Sequence, residues 1–293
     1  DNLDALAGSA SNDKFIGDNA TASAGDQISG LAGDDTLTLY STTTLPQLSG
    51  VENVVVDGVD AVLTTANRSG IDDVTIQNSI FTADRAVTLA NGETLTLVNH
   101  EGAVDVALST TKGSETVTLN DVGNATGNDV DLNLTASATD VTELTLNGTG
   151  ASSDVDLEDG DNKLATLKIT GDQNIDVENA AITSLKTYDA SAAGTGQSIT
   201  IGATVDATIT GSTGDDTFDL GGTLTTKDTI DGGEGTDTLQ VALAASVAGD
   251  LAVSNVEILR MDDANASASI DMDNVTGVTT LRVSEGDDNA ETV

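Results

Sequence analysis

The segment Gly232-Gly233-Glu234-Gly235-Thr236-Asp237-Thr238-Leu239-Gln240 decides the fold of this chain. It follows the nonapeptide pattern G-G-x-G-x-D-x-U-x, in which U is a large apolar residue. The first six residues are typical of a tight turn, and the last three alternate polar, apolar and polar as in a short strand. The segment therefore predicts a turn followed by a strand that buries one side chain.

Related nonapeptides occur at three other places. Residues 30–38 and 211–219 each lack one glycine of the pattern, and residues 8–16 are a weaker relative. The aspartates at the sixth position of the four segments, together with those of two partial repeats that lie between them, are Asp13, Asp35, Asp216, Asp237, Asp26 and Asp228. Each group of segments therefore predicts three successive turns.

The two groups belong to a long internal duplication. Residues 8–38 resemble residues 211–240, and the likeness continues where Leu48-Ser49-Gly50-Val51-Glu52 matches Val253-Ser254-Asn255-Val256-Glu257. The repeating unit is about 205 residues long, so the chain holds one copy and the start of a second. We therefore expect four regions: a turn segment at 1–50, a β-rich region at 51–207, a second turn segment at 208–240, and the start of another β-rich region at 241–293.

Short strands are predicted throughout the chain. Helix signals are weak, whereas apolar and polar residues alternate in eleven triplets with Gly, Asn, Asp or Ser between many of them. The triplets are Leu37–Leu39, Val54–Val56, Val74–Ile76, Leu95–Leu97, Val117–Leu119, Leu132–Leu134, Leu144–Leu146, Val155–Leu157, Leu167–Ile169, Ile175–Val177 and Ile199–Ile201. We expect an all-β protein with β-roll or parallel β-solenoid segments; for residues 51–207 the spacing fits either a solenoid or a sandwich.

Charge narrows the classes of function. Asp and Glu number 49 against 10 Lys and Arg, which gives a net charge of −39. Such repulsion opposes compaction unless salt screens it or divalent cations neutralise it. Nucleic-acid binding is disfavoured because no basic patch exists. There is no apolar run long enough to span a membrane, and there is no cysteine for disulfides or thiol catalysis.

The Gly-Asp turns have the chemistry of a calcium site. Ca²⁺ binds six to eight oxygens at 2.3–2.6 Å, and glycine-rich turns expose backbone carbonyls while the aspartate supplies charge. Stacked turns that share ions would make metal binding and folding one event. The candidate ligand positions are Asp13, Asp26, Gly30, Gly33, Asp35, Gly211, Gly214, Asp216, Asp228, Gly232, Gly233, Gly235 and Asp237. The single histidine, His100, is expected at the surface and outside any catalytic role.

The motif resembles that of RTX (repeats-in-toxin) proteins. The long repeat, the acidity and the lack of cysteine are similar to RTX-containing bacterial surface-layer proteins, with RTX adhesins as the near alternative. The resemblance implies type I secretion and folding at the cell surface in millimolar Ca²⁺. It also implies copies of the chain as partners, with cell-surface polysaccharide as a further partner of regions outside this chain.

Three functions stay open at this point. The first is a calcium-stabilised, self-assembling surface-layer or filament component, and the second is an extender of an adhesin. The third is a polysaccharide-active β-helix enzyme, which the scarcity of aromatics and the scattered basic residues disfavour. We therefore expect a structural protein without catalytic residues.

Overall fold

The computed structural model describes residues 4–65, 68–80, 85–89, 93–101, 106–109, 113–123, 130–134, 141–180, 182–202, 206–242, 245–262 and 269–284. Within these ranges the chain forms strands and turns but no helix. It divides into two compact units, residues 1–141 with 152–155 and residues 142–151 with 156–293.

Thirteen strands lie wholly in the first unit. They are β1 (Ala5–Ala7), β2 (Lys14–Asp18), β3 (Gln27–Ser29), β4 (Thr36–Tyr40), β5 (Gln47–Ser49), β6 (Asn53–Asp57), β7 (Leu63–Thr64), β8 (Asp73–Gln77), β9 (Arg85–Thr88), β10 (Thr94–His100), β11 (Val106–Ser109), β12 (Ser114–Val122) and β13 (Val130–Leu134). Strand β15 (Ser153–Asp159) begins in this unit and ends in the second.

The second unit contains the remaining strands. They are β14 (Glu143–Gly148), β16 (Thr166–Gly171), β17 (Ile175–Ala180), β18 (Thr187–Ala193), β19 (Ser198–Ile201), β20 (Thr208–Thr210), β21 (Thr217–Asp219), β22 (Thr229–Asp231), β23 (Thr238–Val241), β24 (Ala252–Ser254), β25 (Ile258–Asp262) and β26 (Thr280–Ser284).

Strands pair in parallel with the strand two places further along the chain. In the first unit the paired series are β2-β4-β6-β8-β10-β12, β1-β3-β5 and β7-β9-β11-β13. In the second they are β14-β16-β18-β20-β22-β24 and β17-β19-β21-β23-β25-β26, where only the last pair is consecutive in sequence.

This pairing makes a coil with two strands in each turn, which is a parallel β-solenoid. The described strands amount to about 11 turns in all. The prediction of an all-β solenoid is confirmed, and all eleven apolar triplets lie within strands. A sandwich is built from antiparallel sheets, so the parallel pairing of the described strands within residues 51–207 favours the solenoid of the two alternatives.

The core is a narrow column of aliphatic side chains. Alternation along each strand sends every second residue inward, and residues such as Leu95, Val117 and Leu167 are fully buried. In the second unit Tyr188 and Phe218 meet edge to face, with ring centroids 6.2 Å apart. Small β-branched and aliphatic residues suit this interior because facing strands leave little room between them.

The placement predicted for His100 is wrong. Its side chain is fully buried at the end of β10, and desolvation lowers its pKa to about 4. Because a charged imidazole is costly in this interior, His100 is neutral at ordinary pH and packs as part of the core.

Candidate metal centre

Each nonapeptide forms the connection between two strands and the start of the second. Residues 8–13 join β1 to β2, residues 30–35 join β3 to β4, residues 211–216 join β20 to β21, and residues 232–237 join β22 to β23. The apolar residue at the eighth position is buried in three of the four segments, as Leu37, Phe218 and Leu239, and Phe15 of the first segment is half-buried. The geometry of turn followed by strand therefore agrees with the sequence pattern.

The turns stack in two groups, one in each unit. In the first unit the turn 8–13 lies against 30–35, and the backbone N–H of Asp13 donates to Oδ1 of Asp35 at 2.7 Å. In the second unit the turn 211–216 lies against 232–237, and the N–H of Asp216 donates to Oδ1 of Asp237 at 2.7 Å. The duplicated sequence thus builds the same contact twice.

Asp26 and Asp228 lie apart from these stacks. They precede β3 and β22, so they occupy the connection at the opposite end of the strands from the nonapeptide turns. Asp228 accepts hydrogen bonds from the N–H groups of Ala207 and Thr225, each at 2.7 Å. Asp26 accepts from Asp4 at 3.1 Å and Ser23 at 2.8 Å, and these bonds, the one from Asp4 first, lower its pKa.

In successive turns an acidic side chain accepts a hydrogen bond from a backbone N–H of the turn before it. We call this series of carboxylates the carboxylate ladder. In the second unit it runs from Gln197, whose N–H donates to Asp216 at 2.6 Å, through Asp237 to Glu257. The N–H of Asp237 donates to Oε2 of Glu257 at 2.9 Å, just as Asp35 donates to Oε2 of Glu52 at 2.9 Å in the first unit.

The carboxylate ladder includes two residues, Glu52 and Glu257, that the nonapeptide motif does not predict. Glu52 and Glu257 fall in shorter connections, residues 50–52 and 255–257, which lack the nonapeptide pattern. The signal that could have found them was the internal duplication, because both occupy the third position of the matching segments Gly50-Val51-Glu52 and Asn255-Val256-Glu257.

One carboxylate oxygen of Asp35 and one of Asp237 accept no hydrogen bond from the described residues. Both side chains are fully buried, yet Oδ2 of each has no hydrogen-bond partner among the described residues. A buried carboxylate oxygen without a donor is costly, because water no longer solvates the charge. Desolvation is the first cause that raises the pKa of Asp237 to about 7.

A backbone carbonyl faces each of these oxygens across a glycine. A methyl group built on Gly232 would lie 2.5 Å from Oδ2 of Asp237 and 1.8 Å from the carbonyl oxygen of Asn255. On Gly30 it would lie 2.2 Å from Oδ2 of Asp35 and 1.8 Å from the carbonyl oxygen of Gly50. The two oxygens at each site are therefore separated by no more than those two distances combined.

This separation fits two ligands of one cation. Two oxygens bound to the same Ca²⁺ can lie at most about 5 Å apart, since each Ca–O distance is 2.3–2.6 Å. Two acceptors that face each other with no donor between them repel, and a cation reverses that repulsion. The residues present at the turns ending in Asp35 and Asp237 thus suit Ca²⁺ chemically.

The other two ladder aspartates have a different environment. Oδ2 of Asp216 accepts from the N–H of Ser212 at 2.7 Å, and Oδ2 of Asp13 accepts from the N–H of Ser9 at 2.6 Å; each serine hydroxyl also donates. Desolvation nevertheless raises the pKa of Asp216. Local donors already hold these oxygens, so a cation would have to displace a hydrogen bond there.

The predicted glycines occupy places where a side chain would collide. Gly30, Gly211 and Gly232 begin their turns directly beneath a carbonyl of the following turn. Gly33, Gly214 and Gly235 lie against backbone of the preceding turn, and Gly233 lies 2.2 Å, measured from a built methyl group, from the carbonyl of Ser212. They permit close stacking of the turns, which is what brings the oxygens together.

Comparison with protein-family models, with curated proteins and with solved structures finds no match. No helix that is long and apolar enough to cross a membrane occurs in the part of the chain that the structure describes.

Proposed function

We propose that this chain is a structural component of a bacterial surface layer or surface filament, with a β-solenoid that Ca²⁺ stabilises at the turns ending in Asp35 and Asp237. One observation carries the proposal. The same buried carboxylate oxygen, without a donor among the described residues and facing a backbone carbonyl, occurs in both copies of the duplicated motif.

In this proposal the carboxylates of Asp35 and Asp237 and the carbonyls of Gly50 and Asn255 contribute ligands. Calcium supplies charge neutralisation when bound, and the chain supplies a turn already shaped around the ion. Each ion would hold one turn of the coil to the next, because the carbonyl belongs to the turn that follows the aspartate. Folding and ion binding are then linked.

The composition supports the same function. A net charge of −39 opposes compaction in dilute salt, and bound divalent cations relieve that repulsion where it is concentrated. A parallel solenoid suits a spacer or scaffold, since each turn contacts mainly its neighbours. In this proposal the chain catalyses no reaction. It is secreted and folds outside the cell, because the proposed sites need the millimolar Ca²⁺ that is present there.

Circular dichroism during thermal unfolding tests calcium dependence, with Ca²⁺ and after exhaustive chelation by EGTA. We expect a large loss of stability on chelation, and an unchanged melting curve would refute the calcium site. Electron microscopy with and without Ca²⁺ tests the surface-layer role. Ordered sheets or filaments on calcium addition would support it, whereas particles that stay monomeric would favour the adhesin extender.

A further inference from the structure

One face of the second unit carries acidic residues on β17 and arginines on β25 and β26. We call the outer surface of β17, β19, β21, β23, β25 and β26 the odd-strand face; beyond β17 the sheet continues to β15, whose Asp156 and Glu158 belong to the same unit. Strand register aligns its outward residues in two columns. One column is Asp176, Ser198, Thr217, Thr238, Ile258 and Thr280, and the other runs from Thr200 through Asp219, Gln240 and Arg260 to Arg282. Glu178 lies beside this second column on β17, where the register between β17 and β19 shifts.

The acidic end consists of Asp176 and Glu178 on β17. Oxygens of these two carboxylates lie within 4.8 Å of each other, so both charges belong to one patch. At the centre of the face the side-chain amide of Gln240 donates to Oδ2 of Asp219 at 3.0 Å, and Asp219 keeps its negative charge. The outward charge is therefore negative on β17 and β21, and positive at Arg282 on β26.

The basic end is the unusual part. Arg260 and Arg282 are direct neighbours on β25 and β26, in a chain with only 10 basic residues and 49 acidic ones. Like charges on adjacent strands, about 4.8 Å apart, destabilise a sheet. Arg260 is 47% exposed and pairs with Asp262 at 2.9 Å. Arg282 is exposed and forms no ion pair with any residue that the structure describes.

We propose that the odd-strand face pairs with the same face of a second copy, related by a two-fold axis that reverses the strand order. The axis would pass between β21 and β23, midway between β17 and β26, so that Asp219 of one copy faces Gln240 of the other. Arg282 would then face Glu178 and Asp176 of the other copy, and each contact would occur twice. Only this reversed arrangement matches opposite charges, because the parallel one sets Arg282 against Arg282.

The size of the face sets the strength of this contact. Six strands at about 4.8 Å spacing span roughly 24 Å, and two residue columns give a strip of about 400 Å² on each partner. A standard stable interface buries about 800 Å² on each side. A single pair should therefore form only at high protein concentration, and many such contacts in an array would reinforce one another. This pairing rests on the self-association that the proposed function includes, and it does not depend on the calcium site.

Reciprocal charge reversal tests the pairing, measured by sedimentation velocity over a range of protein concentrations in calcium buffer. One variant carries R260E and R282E, and the other carries D176K and E178K. Each alone should associate at least about tenfold more weakly than wild type, because the exposed ion pairs turn repulsive. An equimolar mixture should regain wild-type association, since every contact between the two variants is attractive.

Two further variants control for charge and folding. K163E with K227E makes the same change of net charge at exposed positions outside the face, and it should associate like wild type. R260Q with R282Q removes the charges without reversing them and should give an intermediate affinity. Melting curves of all variants confirm that they fold.

Three results would overturn the inference: no self-association of wild type at any concentration, unaltered association of R260E/R282E, or a mixture that stays dissociated. Loss of association only in D176K/E178K would indicate calcium bridges between acidic patches instead, and would also overturn it. The calcium response of the wild-type melting curve is measured separately, so failure of the calcium site and failure of the pairing are distinguishable.

Discussion

Replacing Asp237 with asparagine should separate the two roles of this side chain. The amide oxygen can take the place of Oδ1 and keep the 2.7 Å hydrogen bond from the N–H of Asp216. The amide nitrogen then replaces the buried Oδ2, which has no partner among the described residues, and can donate to the carbonyl of Asn255. A desolvated charge is removed and a hydrogen bond is gained.

The expected magnitudes have opposite signs with and without calcium. In EGTA, Asp237→Asn should raise the free energy of unfolding by about 1–3 kcal/mol, the usual penalty of an unsatisfied buried polar group. In calcium, loss of the charged ligand should weaken ion binding. A 100-fold rise in Kd removes about 2.7 kcal/mol of ligand-linked stability. The variant should therefore respond little to an ion that strongly stabilises the wild type.

Urea unfolding followed by far-UV circular dichroism, with saturating Ca²⁺ and with excess EGTA, measures both effects. Asp228→Asn is the matched control, because both carboxylate oxygens of Asp228 accept backbone hydrogen bonds at 2.7 Å. An amide there must leave one donor unsatisfied, which should cost about 1–2 kcal/mol under both conditions. If Asp237→Asn behaves like this control, the aspartate is only a turn cap and the reasoning about its free oxygen is refuted.

Three further predictions concern the same turns. Desolvation raises the pKa of Asp237 from 3.8 to about 7, so the stability that its protonated form gives the calcium-free fold is complete below about pH 4 and is lost as the pH rises through 7. The urea midpoint in EGTA should therefore fall over that pH range, and Ca²⁺ should abolish this pH dependence. Leu31→Gly should stabilise by about 0.5–1 kcal/mol, since Leu31 has φ 77° and is 62% exposed, whereas Ala32→Gly should destabilise; equal effects in urea unfolding would contradict the strain. Gly232→Ala should cost about 3 kcal/mol because its methyl group meets the carbonyl of Asn255, while Gly160→Ala, with open space around it, should change the urea midpoint little.

Much of the fold follows from alternation, which acts over neighbouring residues. Triplets such as Leu95–Leu97 and Leu167–Ile169 place two side chains inward, and each lies in a strand. Strands such as β20 and β22 have one inward residue among three, so the pattern is too short to recognise. Which strand pairs with which depends on contacts about 20 residues apart, and alternation contains no information about that distance.

The burial of His100 shows the same limit. In the sequence, His100 is a polar residue at the end of an apolar strand, and residues in such positions commonly lie at the surface. The solenoid then covers that strand end, and His100 pairs in register with Val122 of β12. A residue becomes buried here because the next turn of the coil lies over it, and the local sequence does not show that turn.

The candidate metal centre was predictable as a set of aspartates but not as a choice among them. All four nonapeptides have the same sixth residue, and they differ at the second. Ser9 and Ser212 donate their backbone N–H to the aspartate of their own turn. Leu31 and Gly233 occupy that position with φ 77° and 96°, and no such bond forms between the residues described.

The second residue of the turn therefore separates two kinds of Gly-Asp turn. Serine with ordinary φ satisfies the carboxylate locally, and the turn is complete without an ion. A left-handed residue leaves Oδ2 unsatisfied, as at Asp35 and Asp237. A carbonyl of the following turn lies close to the carboxylate in both kinds of turn, as that of Gly232 does beside Asp216, so the local donor makes the difference. Glycine adopts this conformation without strain, whereas leucine does so at a cost. That a strained, exposed Leu31 repeats the backbone of Gly233 indicates that the open carboxylate is what the two copies have in common.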